Sequence, residues 1–166
     1  MKLKTERLTL IPFDKNDLEI FHNTNIDPFV KKYLWDDEEI PISVSESILQ
    51  EVGIKFKKEQ WGLWKITDSD ENYLGYIGFW FFFDEQLPQL LYALLPKSTG
   101  NGYATEASKV LIDYAFSTLG FAYIKAAMDK PNIDSVKVCE RLQMHFIEEK
   151  EIEGKVTLFY QLKNKD

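Results

Sequence analysis

Residues Leu90 to Ala107 read Leu-Leu-Tyr-Ala-Leu-Leu-Pro-Lys-Ser-Thr-Gly-Asn-Gly-Tyr-Ala-Thr-Glu-Ala: an apolar strand, a glycine-bearing turn and the start of an amphipathic helix in unbroken succession. That order makes an anion site. Gly100 and Gly102 let backbone N–H groups converge, and a helix beginning near Tyr103 adds the unpaired N–H groups and positive dipole end of its first turn. Taken alone, Asn101-Gly102 is more often a hairpin turn. Its position between a strand and a helix is what makes it a phosphate cradle, and the residues by themselves reach no further than "phosphate".

Outward from this stretch the chain reads as one domain over residues 1–166. With 45% hydrophobic and 14% aromatic residues it can bury one sizeable core without a metal or a disulfide. Cys139 is the single cysteine, so no intramolecular disulfide can form. The N-terminal Met1-Lys2-Leu3-Lys4-Thr5-Glu6-Arg7 lacks the apolar core of a signal peptide, and the expected location is cytoplasmic. The longest apolar run, Tyr76 to Phe83, is broken by Gly78 and far too short to span a membrane. A net charge of −7 argues against a nonspecific nucleic-acid binder, so an anionic ligand must be held by local donors. Lys97, Lys130, Lys137 and Arg141 lie around the segments concerned.

Alternation over Leu3 to Phe13 predicts one strand, stopped at Pro12. Asp14 then caps a helix that Asp27-Pro28 breaks, a short helix and an acidic loop follow, and Ser43 or Ser45 caps a second long helix through Ile48, Val52 and Phe56. Gly62 to Thr67, Tyr73 to Phe83 and Leu87 to Leu95 read as strands. The glycine loop leads into a helix carrying Ala107, Leu111 and Ala115, with Gly120 as its C-cap. Phe121 to Met128 is a further strand, Asn132 caps the last helix, and two strands close the chain around Glu153-Gly154. The expected order is β-α-α-β-β-β-α-β-α-β-β: an α+β domain with about seven mostly antiparallel strands and about four helices.

Thr99-Gly100-Asn101-Gly102-Tyr103-Ala104 resembles the Gln/Arg-x-x-Gly-x-Gly/Ala signature of the GCN5-related N-acetyltransferase (GNAT) superfamily. The Pro96 to Ala107 segment, the opening Thr5-Glu6-Arg7-Leu8-Thr9-Leu10 and Asn132-Ile133-Asp134-Ser135 are similar to the branch containing the ribosomal-protein N-terminal acetyltransferases. The resemblance covers the whole chain. It implies acetyl-CoA, or another short acyl-CoA, with its diphosphate against the N–H groups of Thr99 to Ala104 and its pantetheine arm along Tyr92, Ala93, Leu94 and Leu95. Lys97, Asn132 and Lys137 are the further cofactor-binding candidates, and no metal is expected.

Acetyl transfer needs a deprotonated amine, a polarised carbonyl and a route for protons. The backbone N–H of Leu94 is the natural oxyanion donor. Many superfamily members place an acidic tyrosine where this chain has Cys139; Ser135, one helical turn earlier, is the other candidate proton donor, and its bland role is helix capping beside Asn132. Relatives often carry glutamate where Gln89 stands, which leaves Glu106, Glu85, Asp84, Asp129 or a water to take the amine's proton. The aromatic and acidic stretches Phe21 to Ile42 and Phe79 to Leu87 are expected to select the acceptor, either a small-molecule amine or a protein N-terminus. The resemblance also makes a homodimer possible. Gln89 and Cys139 motivate the alternative, an acyl-CoA-binding or sensing domain with weak or no transfer. Leu142-Gln143-Met144 departs from the usual Leu-Gly-Phe, so the last helix either ends without the easy glycine turn or runs on.

Overall fold

The computed structural model describes residues 1–165. Its strands are β1 (Leu3–Lys4), β2 (Thr9–Pro12), β3 (Leu63–Thr67), β4 (Tyr73–Trp80), β5 (Gln89–Leu94), β6 (Tyr123–Asp129), β7 (His145–Ile152) and β8 (Lys155–Lys163). The helices are α1 (Leu18–Ile26), α2 (Pro28–Leu34), α3 (Ile42–Glu59), α4 (Tyr103–Ser117) and α5 (Ile133–Arg141). The strands form one eight-stranded sheet of order β1-β2-β3-β4-β5-β6-β8-β7. Every neighbouring pair is antiparallel except β5 and β6.

The mixed α+β class agrees with the sequence reading, while the counts rise to eight strands and five helices. The expected strand Leu3 to Phe13 is two strands. Thr5 N–H donates to Leu8 O at 2.9 Å and Leu8 N–H donates to Thr5 Oγ1 at 2.9 Å, so the Thr5 hydroxyl closes a turn and β1 folds back on β2. Asp14 does cap: Asn16 N–H donates to its Oδ1 at 2.7 Å, and Asp17 Oδ2 accepts from Asp14 N–H at 2.9 Å. The capped turn, Lys15–Asp17, is 3-10 and leads into α1. Asp27 ends α1 and caps α2, with Pro28 at the first helical position. Neither Ser43 nor Ser45 caps α3. Pro41 precedes it, and Ser45 is buried with its Oγ 2.8 Å from His22 Nδ1.

Strand alternation sorts the core onto two faces. On one, Ile77 and Phe79 of β4 with Leu90 and Leu94 of β5 pack under the α4 stripe Ala104, Ala107, Leu111. On the other, Tyr76 and Ala93 pack with Phe13, Phe21, Leu49 and Val52 under α1 and α3. β4 stops at Trp80, short of the expected Phe83. Phe81, Phe82 and Phe83 lie 40%, 44% and 37% exposed in the loop that returns to β5.

Helix α5 ends where a glycine would conventionally end it. Gln143 takes φ 61°, and Met144 N–H reaches back to Cys139 O at 3.0 Å. A side chain in this left-handed region carries strain of about 1 kcal/mol or more. Gln143→Gly is therefore expected to stabilise the fold by roughly 0.5 to 1 kcal/mol once glycine's greater unfolded-state entropy is set against it, read as a higher urea midpoint at unchanged slope.

Candidate active site

Strand β5 pairs with β4 from Gly75↔Leu94 to Trp80↔Gln89 without interruption. Against β6 it shares one ladder position, Gln89↔Lys125, after which the two parallel strands part. Leu95 N–H donates to Leu74 O at 3.0 Å, on the β4 side. Main-chain direction alternates along a strand, so Ala93 also faces β4 while the N–H groups of Tyr92 and Leu94 face the split. The split is thus lined by strand backbone that no neighbouring strand takes up.

At the C-terminal end of β5 the chain enters the 3-10 turn Pro96–Ser98 and the glycine loop. Leu95 caps that turn rather than continuing the strand. Gly100 and Gly102 have φ of 78° and 77°, so both occupy the left-handed region. Asn101 Nδ2 donates to Thr99 O at 3.1 Å and to Ser98 O at 3.4 Å, which turns those carbonyls inward. Thr99 spends both its donors on Pro96 O, the N–H at 3.3 Å and the hydroxyl at 2.8 Å. The expected donor run Thr99 to Ala104 therefore shifts by one. Glu106 N–H makes the first helical bond, to Gly102 O at 3.0 Å, and the N–H groups of Gly100 through Thr105 have no acceptor among the described residues. The buried hydroxyls of Ser98 and Thr105 flank this run and also lack a protein partner there. A Cβ built on Gly100 would meet nothing within 4 Å, so the loop backbone is open to a bulky anion.

A clamp that sequence reasoning missed fixes this loop. Glu106 Oε2 accepts from the Thr5 hydroxyl and, at 3.1 Å, from Arg7 N–H, while Arg7 Nε donates to Glu106 Oε1 at 2.8 Å. Arg7 Nη2 donates to Asn101 O at 2.9 Å, and its guanidinium lies 4.7 Å from the Tyr103 ring centroid. The turn between β1 and β2 thereby braces both the glycine loop and the first turn of α4. Partial burial pushes the Glu106 carboxyl up, but the hydrogen bonds from Thr5 and Arg7 outweigh it and hold the group below its ordinary value. A carboxylate so fully engaged is a structural anchor rather than a base.

Tyr92 and Leu94 point to the α4–α5 face. There the Tyr92 hydroxyl donates to Ser135 Oγ at 3.2 Å, leaving the Ser135 proton free for another acceptor; burial pushes the Tyr92 phenol up to about 12. Ser135 N–H in turn donates to Asn132 Oδ1 at 3.4 Å, the expected cap. Cys139 is buried on the same helix, and burial pushes its thiol up to about 12. Lys97 and Lys137 are both exposed, on the 3-10 turn and on α5. Of the remaining carboxylates, Asp129 lies 3.6 Å from Lys155 Nζ and Asp84 is exposed. Glu85 Oε1 accepts from the buried Gln89 Nε2 at 2.7 Å, and its Oε2 is buried without a protein partner among the described residues.

On the opposite face a cavity of about 270 Å³ lies against the same strand, walled by Phe21, Trp35, Leu63, Tyr76, Trp80 and Leu91. Asn25, fully buried behind it, accepts from Tyr76 Oη at 2.7 Å and from Trp35 Nε1 at 3.0 Å, and donates to Phe21 O at 2.9 Å. Residues of both the Phe21 to Ile42 and the Phe79 to Leu87 stretches line this cavity.

The chain and its fold have known relatives. The family model described as "Acetyltransferase (GNAT) domain" matches residues 7–145. The chain is 29% identical over 144 residues to the uncharacterized N-acetyltransferase p20 of Bacillus licheniformis, covering 84% of this chain and 80% of that protein. Among solved structures it is similar to an acetyltransferase from Agrobacterium tumefaciens (TM-score 0.83, 22% identity, 98% and 94% of the two chains). It is also similar to a spermidine N-acetyltransferase from Vibrio cholerae solved with CoA and spermine (TM-score 0.79, 19% identity, 96% and 97%). No helix among the described residues is long and apolar enough to cross a membrane.

The lowered Glu106 carboxyl makes the clamp's contribution pH-dependent in a definite sense. A group with a depressed folded-state pKa stabilises above its unfolded value, about 4.3 for glutamate, and loses that contribution as pH falls through the folded value. Urea melts of Glu106→Gln are expected to show a deficit against wild type at neutral pH that shrinks progressively below about pH 4.

Proposed function

We infer that this chain, which belongs to the acetyltransferase (GNAT) domain family and is an acyl-CoA-dependent N-acyltransferase, carries an acetyl group from acetyl-CoA to a primary amine by direct attack with both substrates bound. The observation that supports this best is the unpaired N–H run of Gly100 through Thr105, set at the end of a strand whose own N–H groups face a split in the sheet. The residues present fit a CoA thioester. The glycine loop and the start of α4 offer convergent donors for a diphosphate, and the open backbone at Gly100 lets it approach closely. The edge of β5 from Tyr92 to Leu94 offers main-chain donors and acceptors to the amide groups of a pantetheine arm. Lys97 and Lys137 add positive charge at the rim, and Asn132 keeps α5 in place beside it.

The acceptor amine, with a pKa near 10, arrives protonated and must lose a proton before attack. Glu106 is spent on the clamp, Asp129 lies beside Lys155, Asp84 is exposed, and Glu85 is held by Gln89 where β5 and β6 are still paired, so a water at the open end of the split takes this proton. The N–H of Leu94, fixed by the β4 ladder, serves the oxyanion that develops at the carbonyl. A departing thiolate is a good leaving group, since thiols, cysteine at about 8.5 among them, are far stronger acids than alcohols, and it needs only modest help. Ser135, itself hydrogen-bonded by Tyr92, relays that proton to the sulfur and is reprotonated from solvent in the same step, so no alkoxide is left; the Cys139 thiol, buried and strongly held in its protonated form, packs as a small hydrophobe.

Initial-rate measurements of free-thiol release from acetyl-CoA with an amine panel test the reading. Release above the no-acceptor rate is expected, and Gly100→Val should lower kcat/KM for acetyl-CoA by at least tenfold. Binding of acetyl-CoA without accelerated release for any amine would instead identify a binding or sensing domain. In the same assay Ser135→Ala is expected to slow turnover by roughly three- to tenfold and Cys139→Ala by less than about twofold.

A further inference from the structure

The cavity on the α1–α3 face has an unusual charge arrangement for a site that must receive cations. Its walls are aromatic and aliphatic throughout, and no carboxylate contributes to them. The polar handles that two of its aromatic walls would offer are already used: Asn25 Oδ1 takes both the Trp35 N–H and the Tyr76 O–H. Asn25 therefore does two things at once. It fixes the two rings in place, and it takes up their N–H and O–H donors, so neither donor is left for whatever fills the space.

The charge stacked on the wall's rings is positive. Lys55 Nζ lies 5.7 Å from the Trp80 ring centroid and 5.2 Å from that of Phe81, both cavity-lining residues, and 4.5 Å from Trp61 behind them. An aromatic face attracts a cation through its quadrupole, so these rings are already satisfied by the protein's own ammonium. The acidic neighbour of Lys55, Glu51, stands 3.9 Å away on the same helix and is half-exposed. The register places this cation. Trp80 pairs with Gln89 at the closed end of the split, whereas Leu91 lies where the strands have parted. An acceptor whose amine points to the open part of the split thus directs its remote end toward Lys55.

We propose that this cavity binds the body of a primary monoamine, a single ring or a short branched alkyl chain, and that Lys55 turns away amines carrying a second cationic group. This rests on the acetyl-transfer reading above and narrows its acceptor. Size points the same way, because about 270 Å³ lies just under the roughly 300–1,000 Å³ of pockets that take drug-sized ligands. A polyamine would bring its distal ammonium against apolar walls that include no carboxylate, with a resident cation beside them. Desolvating an unpaired charge there is costly, while an apolar body is favoured.

The test separates donor from acceptor. Calorimetric titration with CoA first reports whether the donor site works. Thiol-release kinetics then compare 2-phenylethylamine and isopentylamine with spermidine and with a free-N-terminal tripeptide. The monoamines are expected to exceed spermidine and the tripeptide in kcat/KM by at least tenfold. Lys55→Glu is expected to raise the spermidine to 2-phenylethylamine ratio of kcat/KM at least tenfold, mainly through KM. Independently of turnover, 2-phenylethylamine should change the tryptophan fluorescence of the wild type saturably, and Trp35→Phe with Trp80→Phe should remove that change. CoA binding combined with preference for spermidine or the tripeptide overturns this inference and leaves the acetyl-transfer reading standing; so does an unmoved ratio in a folded Lys55→Glu variant. Absence of CoA binding overturns both.

Discussion

The parting of β5 from β6 after Gln89 and Lys125 is the constraint on which the rest depends. Backbone N–H and C=O groups are obligatory hydrogen-bonding groups, and a strand edge left without its neighbour is a template for something else to pair with. Here that edge sits in the middle of an eight-stranded sheet, not at its margin. The β4 ladder holds β5 on one side along its whole length, so the opposite edge is presented rigidly. A rigid edge does not have to be ordered when a ligand arrives, and that lowers the entropic cost of binding.

The loop at the end of this edge obeys the same logic. Two left-handed glycines and the Asn101 side chain turn the carbonyls away, and the clamp of Thr5, Arg7 and Glu106 ties the loop to the first hairpin. The donors of Gly100 through Thr105 are thus held in a preset arrangement. Strand alternation then divides the labour of β5. Tyr92 and Leu94 serve the split and α5, with its Ser135, while Leu91 and Ala93 belong to the face that carries the apolar cavity. On the proposed function, a period of two brings donor and acceptor to opposite sides of one strand.

Much of this was legible in the sequence because it is local. Gly100, Gly102, the Asn132 cap, the Asp27-Pro28 break and the Glu153-Gly154 turn each announce themselves through backbone requirements of single residues. The features that escaped are long-range. Nothing near Arg7 tells that it will grip Asn101, and nothing near Asn25 tells that Trp35 and Tyr76 will share its carbonyl oxygen. The Thr5 turn was hidden because alternation continues through it, with Leu8 and Leu10 keeping the period while the chain reverses. Gln143 shows the converse: a residue unsuited to the left-handed region occupies it because Met144 and β7 must follow.

On the proposed function, main-chain amides, rather than a cationic side-chain pocket, hold the donor. The direct measurement is a titration of uniformly 15N-labelled protein with CoA, followed by amide chemical shifts. The largest, saturable shifts are expected at Gly100 through Thr105, with further shifts at Tyr92 and Leu94 and little change along β7. Saturable shifts centred elsewhere, with the glycine loop unmoved, would contradict it.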